Sequence, residues 1–424
     1  MILKRLAVPV LGLLLAGCML LMLVHPASSL TAALRGLSIW WDVLFPSLFP
    51  FFVISEIMLG FGVVHLFGAL LDPLMRPLFN IPGAGGFVAA MGYVSGYPVG
   101  AKLTAKLREQ QLISRVEGER LVAFTTSSDP IFLLGAVSVG FFHDASLGLV
   151  LALAHYGGGL IVGFLMSFYG RRDKEAPNSV SQSGKPAPRT TVREASNELH
   201  TGRLRMALRS MAEARRKDGR SIGELLKGAI QSSLQLIIVV GGLVVFFTVL
   251  MELLDRAGIM SSLFTFTDRL LSLAGFPEEM SAALVSGLFE VTLGARSAGE
   301  ASTSVPLQFK AAAAAFILSW GGLSVHAQVA SILNGTGLRY LPFMAARLVH
   351  ALLAAGLLLI LWEPVMNSGL SVSLRSLPAA AGLSSPVQGF AFSLSLLAML
   401  LIAASLLSLL ILLLRRMQGL WQRR

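Results

Sequence analysis

Apolar runs long enough to cross the core of a bilayer recur along this 424-residue chain and leave few folds open to it. A run of roughly 20 apolar residues spans hydrocarbon as a helix. Residues 6–24, 38–59, 121–142, 147–169, 226–254, 311–333, 341–362 and 390–414 all read this way. Lipid offers no partner to backbone amides and carbonyls, so each such run must satisfy them within its own helix. Charged residues make up only 13% of the chain, against about a quarter in soluble domains, and mean hydropathy is +0.73. The class expected is an all-α polytopic membrane protein.

The net charge of +11 would suggest nucleic acid on a soluble protein. Here the basic residues lie between and beside apolar runs, where Lys and Arg mark cytoplasmic loops, so the expected partner is the lipid bilayer and not nucleic acid. The one cysteine, Cys18, excludes an internal disulfide or a cysteine metal cluster. Lys4 and Arg5 precede the first apolar run, and Leu15-Ala16-Gly17-Cys18 resembles a lipoprotein processing box. The run continues past Cys18 to Val24, which favours a retained first helix.

Residues 61–78, 83–101, 259–273 and 280–295 are apolar but interrupted by Pro, Gly or charge. With Lys4 and Arg5 inside, they are expected to form two re-entrant pairs beside eight full spans. Every strongly basic segment then falls on the cytoplasmic side, including 102–120, the stretch after 170 and the terminal arginines. Residues 102–120 read as an amphipathic surface helix. The stretch 171–222 reads as a basic linker, Ser/Pro/Gly-rich at first. From about 193 to 217 it reads as solvated, the alternative being a basic helix on the membrane surface.

The chain also repeats itself. Gly100-Ala101-Lys102 recurs as Gly294-Ala295-Arg296, Ala123-Phe124 as Ala315-Phe316, and His155 as His350, at offsets of 194, 192 and 195. The first copy begins outside and the second inside, so the expected fold is two inverted-topology repeats with broken helices, the sequence pattern of a transporter. The expected units are an N-terminal helix (1–37), a first repeat (38–170), the linker (171–222), an inverted second repeat (223–365), and a loop with a C-terminal helix and basic tail (366–424).

Polar residues within apolar runs mark the candidate site. Ser95, Gly96, Tyr97 and Pro98 break a helix and offer hydroxyls and exposed backbone, with Lys102 close behind. The alternative is a packed re-entrant tip whose lysine reaches for the surface. Thr125, Thr126, Ser127, Ser128 and Asp129 precede Pro130 inside another run. An ionisable group there costs about 3 kcal/mol on insertion scales and signals function. A lone Ser or Thr, by contrast, bonds its own helix. The second half supplies Glu290, Thr292, Arg296, Ser319, Ser324, His326 and Gln328. Glu290 and Arg296 could pair across a break. Lys102 and Arg296, related by the repeat, would favour an anionic solute if both faced the cavity. His155 and His350 read as matched packing positions. No phosphate-binding glycine loop or paired-histidine zinc motif is present, so no enzyme, cofactor or metal is expected.

The segment Met91 to Arg108, with Phe124 to Phe142, resembles the YlbJ-type sporulation integral membrane proteins, a branch of the nucleoside-recognition or gate-domain proteins. The resemblance covers about 38–362, and Asp129 stands where Asn is expected in that family. It implies a fold like that of concentrative nucleoside carriers. It also implies a role in endospore formation: passing dipicolinic acid from the mother cell across the outer forespore membrane. Dipicolinate is a small planar dianion, which the cations Lys102 and Arg296 and the hydroxyl cluster would suit. A nucleoside-like solute, or a non-transporting scaffold in spore assembly, remains open. So does assembly as a homo-oligomer or with other sporulation membrane proteins.

Overall fold

The computed structural model describes residues 2–170 and 199–367, which are helical with no strand. The expected span at 390–414, the basic tail and the Ser/Pro/Gly-rich part of the linker lie outside the described residues. Helix α1 (Ile2–Val24) carries Cys18 as a free thiol and bends by 107° into α2 (Pro26–Ser38). Proline at the first helical position has no amide to waste there. From Pro26 the helical path runs on through a π-wound segment (Ile39–Leu44) into α3 (Phe45–Gly60). The helical path that contains 38–59 therefore begins before residue 38. Gly62, at φ 77°, turns the chain into α4 (Val63–Phe79).

Two interrupted pairs follow: α5 (Ala84–Ser95) with α6 (Tyr97–Glu109), then α7 (Arg115–Thr125) with a π-wound segment, Ile131–Phe141. Helix α8 (Leu147–Met166) closes the first half. The expected surface helix over 102–120 is not one element. Ser114 and Glu117 form a reciprocal capping box that starts α7 afresh. Both helices are largely buried. On α7, the fully buried Glu119 accepts from the Arg339 side chain at 2.9 and 3.0 Å and from Tyr169 at 2.8 Å.

The linker differs from expectation as well. Helix α9 (Leu199–Asp218) packs on α4, with the Arg215 guanidinium 5.3 Å from the Phe61 ring centroid. A second capping box, Ser221 with Glu224, opens the long α10 (Ile222–Arg256). Gly258, at φ 72°, leads into α11 (Ile259–Leu273). Two more interrupted pairs follow, α12 (Ser281–Phe289) with α13 (Val291–Gly299) and α14 (Leu307–Trp320) with α15 (Gly322–Leu333), and then α16 (Tyr340–Met366).

Among the described residues, four helices are long and apolar enough to cross a membrane: α8, α10, α14 with α15 taken together, and α16. The bent α1–α2 pair counts as a fifth if it is taken as one span, while the full spans expected at 38–59 and 121–142 hold only the shorter apolar helices Leu48–Gly60 and Phe132–Phe141. Leu160, Phe164, Ile238, Phe246, Leu352 and Ile360 are exposed on these helices, as an integral membrane protein requires where lipid is the solvent. The cores cross between the halves. One joins the Ile131–Phe141 segment and α8 to α12–α16, and the other joins α3–α7 to α10. Each half thus packs a helix against the other half, which brings the interrupted pairs together.

Candidate functional site

Each interrupted pair stops for a readable reason. Gly96 sits at φ 88°, and Pro98 follows in the first turn of α6. Thr126 and Glu290 are extended, at φ −83° and −142°. Gly321 and Gly322 both lie in the left-handed region, at φ 87° and 72°, where a side chain is strained. The four breaks touch one another. A Cβ on Gly96 would meet Asp129 Oδ2 at 3.1 Å, and one on Gly322 would meet Phe289 O at 2.9 Å and Glu290 Cα at 3.1 Å. Across the halves, a Cβ on Gly321 would lie 3.6 Å from the Tyr97 ring.

Breaking a helix frees carbonyls and amides that must find partners when buried. Here side chains supply them. Arg347, fully buried on α16, donates to Thr126 O at 2.5 Å and reaches Leu318 O and Trp320 O at 3.5 Å each. Tyr97 donates to Leu318 O at 2.7 Å, Tyr156 to Ser128 O at 3.1 Å, and Trp320 Nε1 to Leu288 O at 3.2 Å. Freed amides are capped by carboxylates. Phe132 N donates to Asp129 Oδ1 at 2.9 Å and Leu293 N to Glu290 Oε2 at 2.7 Å. Both carboxylates therefore sit at the positive ends of half-helices, where the dipole favours negative charge.

Two histidines fasten the breaks. Ser128 N donates to His155 Nε2 at 3.2 Å, so Nδ1 carries the proton and donates to Ser319 Oγ at 2.8 Å. The Ser127 hydroxyl lies 2.8 Å from Nε2. Arg347 has no acceptor to offer, so His350 Nδ1 accepts from it at 3.1 Å and Nε2 donates to His155 O at 2.7 Å. The two rings stack at 5.1 Å. Every ring nitrogen of the two is engaged inside the protein.

Between the breaks lies a pocket with about 530 Å³ of empty space. Tyr97, Pro98 and Asp129 line it from the first half, and Glu290, Thr292, Ser324 and Gln328 from the second, with Leu44, Leu48, Val240 and Val244 completing the wall. Ser95 and Gly96 are buried beside it. Other expected residues do not join this pocket. Thr125 and Thr126 bond their own helix, to Leu121 O and Val122 O at 2.8 Å each. His326 bonds Tyr340 at 2.6 Å and Trp320 O at 3.2 Å. Lys102 pairs with Glu56 at 2.8 Å, and Lys106 pairs with the other oxygen of the same carboxylate. Arg296 pairs with Glu300 at 2.8 Å on an exposed face, not with Glu290. The two cations expected beside an anion are thus engaged elsewhere, and the acidic side chains that line the pocket are the carboxylates of Asp129 and Glu290 with the Tyr97 phenol.

Sequence reasoning passed over Arg347 and Glu56. Arg347 is a lone charge inside the apolar run at 341–362, and Glu56 lies fourteen residues from Asp42, the other charge in the run at 38–59; a charge so placed is the same signal that singled out Asp129.

The Gate family model, described as nucleoside recognition, matches residues 42–170 and 237–336. These stretches contain all four breaks and every polar residue that lines the pocket. The chain is also 45% identical over 344 residues to the sporulation integral membrane protein YlbJ of Bacillus subtilis (strain 168), covering 81% of this chain and 80% of that one. The chain therefore belongs to the YlbJ-type sporulation integral membrane proteins of the nucleoside-recognition Gate family.

Proposed function

We propose that this chain is a transporter, not an enzyme, that carries a small polar solute across a membrane of the sporulating cell by alternating access. The observation that carries the reading is the pocket at which four helix breaks, two from each half, converge. Non-helical backbone at membrane depth is tolerated where it lines a cavity or is satisfied by protein, and transporters place their sites at such breaks.

On this reading the halves, 38–170 and 223–365, are inverted repeats. Their element order supports it. Helices α4, α5, α6, α7 and α8 begin at 63, 84, 97, 115 and 147, and α11, α12, α13, α14 and α16 at 259, 281, 291, 307 and 340. The offset stays between 192 and 197 throughout. Charge orients the termini and the linker to the cytoplasm.

Dipicolinate is the solute that the relationship to sporulation proteins suggests. With Asp129 and Glu290 in the pocket wall, a dianion would need accompanying positive charge, as protons on the carboxylates or a co-bound cation. A neutral, nucleoside-like solute is the second reading. It is favoured by the amide and hydroxyls of Gln328, Ser324 and Thr292 along the same wall. Uptake into proteoliposomes tests both. Saturable dipicolinate uptake, dependent on pH or an added cation and indifferent to nucleosides, supports the first. Competition by nucleosides supports the second. Uptake of neither class, by a protein whose spores contain normal dipicolinate when its gene is deleted, removes the transport reading.

A further inference from the structure

One ion pair in the first half has a counterpart in the second that is not made. Glu56 lies six residues before the left-handed Gly62, and Glu252 lies six before the left-handed Gly258. Lys102 lies six residues after the break at Gly96, and Arg296 six after the break at Glu290. In the first half these partners meet: Lys102 Nζ is 2.8 Å from Glu56 Oε1, both side chains are about nine-tenths buried, and Ser232 of α10 donates to the same oxygen at 3.3 Å. In the second half the same pair of positions is parted. Arg296 turns to Glu300 at 2.8 Å and Glu252 to Arg256 at 3.0 Å. Arg296 and Glu300 instead edge an open notch with about 1100 Å³ of empty space.

The closed pair lies about one to two helical turns from the pocket along the same helices. Leu48 on α3, Pro98 on α6 and Val240 on α10 line the pocket. Glu56 and Ser232 lie eight residues from Leu48 and Val240 on the same two helices, and Lys102 lies one turn past Pro98. At 1.5 Å per residue this places the carboxylate about 12 Å along α3 from the pocket wall. The fully buried Phe52 fills the turn between, with Lys102 Nζ 5.9 Å from its ring centroid.

We propose that Glu56–Lys102 and Glu252–Arg296 are reciprocal latches of alternating access, the first closed and the second open in the conformation described. This rests on the transport reading and on the inverted repeat. Closing the second latch would bring Glu252 and Arg296 together and release Glu56 from Lys102. A buried ion pair suits the task. Its Coulomb gain and its desolvation cost nearly cancel, so two states, each with one pair closed, stay close in free energy and a bound solute can tip them.

The test uses the full chain with Cys18→Ser and Val244→Cys, placing a single thiol in the pocket wall, in sealed vesicles of known orientation. An impermeant maleimide is added from either side. Glu56→Gln is expected to raise labelling from the Lys102 side at least tenfold and to lower it from the Arg296 side. Glu252→Gln is expected to do the reverse, lowering it from the Lys102 side. The double variant Glu56→Gln with Lys102→Gln removes both charges of the latch, leaves Lys106, whose side chain is about a quarter exposed, to water, and should behave like the single one. In a second background, Glu252→Cys with Arg296→Cys should cross-link through a short bifunctional reagent faster when Glu56→Gln is present. Labelling that moves the same way in both glutamine variants, or in neither, overturns the latches. Uptake measured in the same vesicles separates the two ideas. Reciprocal labelling without uptake of any solute removes the transport reading and leaves the latches, and uptake without reciprocal labelling does the opposite.

Discussion

Replacing Arg347 should cost stability in a way that depends on Tyr97, because the two side chains share one freed carbonyl. Arg347 donates to Thr126 O at 2.5 Å, and it also serves His350 Nδ1 at 3.1 Å. Its contacts with Leu318 O and Trp320 O are long, at 3.5 Å, and each of those carbonyls has a closer donor, Tyr97 at 2.7 Å and His326 at 3.2 Å. Arg347→Met therefore strips two acceptors of good bonds and two of marginal ones. Side-chain hydrogen bonds between membrane helices average about 0.6 kcal/mol and reach about 1.7, while a buried acceptor left empty costs about 1–3 kcal/mol. The expected loss is about 2–4 kcal/mol. Tyr97→Phe alone leaves Leu318 O its long contact with Arg347 and should cost about 1 kcal/mol. The double variant empties Leu318 O altogether, so its loss should exceed the sum of the singles by about 0.5 kcal/mol or more. Reversible unfolding in mixed detergent micelles, followed by tryptophan fluorescence, reads all three, since Trp320 lies 4.2 Å from His326 beside the same break. If Arg347→Met stays within about 0.5 kcal/mol of the parent, or if the losses simply add, the claim that this guanidinium holds the breaks together is refuted.

Other substitutions probe other parts of the same arrangement. Asp129→Asn and Glu290→Gln keep an oxygen to cap their half-helices, so melting should shift little, whereas solute uptake should fall at least tenfold if the pocket carboxylates serve it. Gly322→Ala must place a Cβ 2.9 Å from Phe289 O at φ 72°, while Gly258→Ala has the same φ and open space around it. The second should cost about 1–2 kcal/mol of backbone strain and the first clearly more, which paired thermal melts will compare. Arg339→Ala leaves the buried Glu119 carboxylate the Tyr169 hydroxyl and the long 3.9 Å contact with Arg115 in place of its close guanidinium, and should cost about 2–3 kcal/mol. Glu119→Gln leaves a half-exposed Arg339 that water can serve, and should cost less. The opposite order in denaturant midpoints would count against the burial argument.

The sequence by itself determined the helical membrane class, the family and the breaks near Gly96, Asp129 and Glu290, because each of these is a local property; the break at Gly321 and Gly322, inside a run that reads as one unbroken span over 311–333, appears only in the structure. Apolar length sets a span, and Gly or Pro at membrane depth sets a break. A capped carboxylate such as Asp129 betrays itself by its cost in an apolar run. Hydroxyls were harder to read. Thr125 and Thr126 look like ligands in one dimension, yet in a helix their nearest acceptors are the carbonyls one turn back, and they take them. Only the tertiary structure decided which charges meet. Lys102 and Arg296 are alike in sequence, but Lys102 finds Glu56 on α3 while Arg296 finds Glu300 on its own helix. Pairing depends on how separate helices approach, and no local pattern records that distance. The same holds for Arg347, whose partners are carbonyls freed in α7 and α14. A lone arginine can be flagged from its apolar neighbours, but the acceptors that make it tolerable belong to helices brought beside it only when the two halves pack.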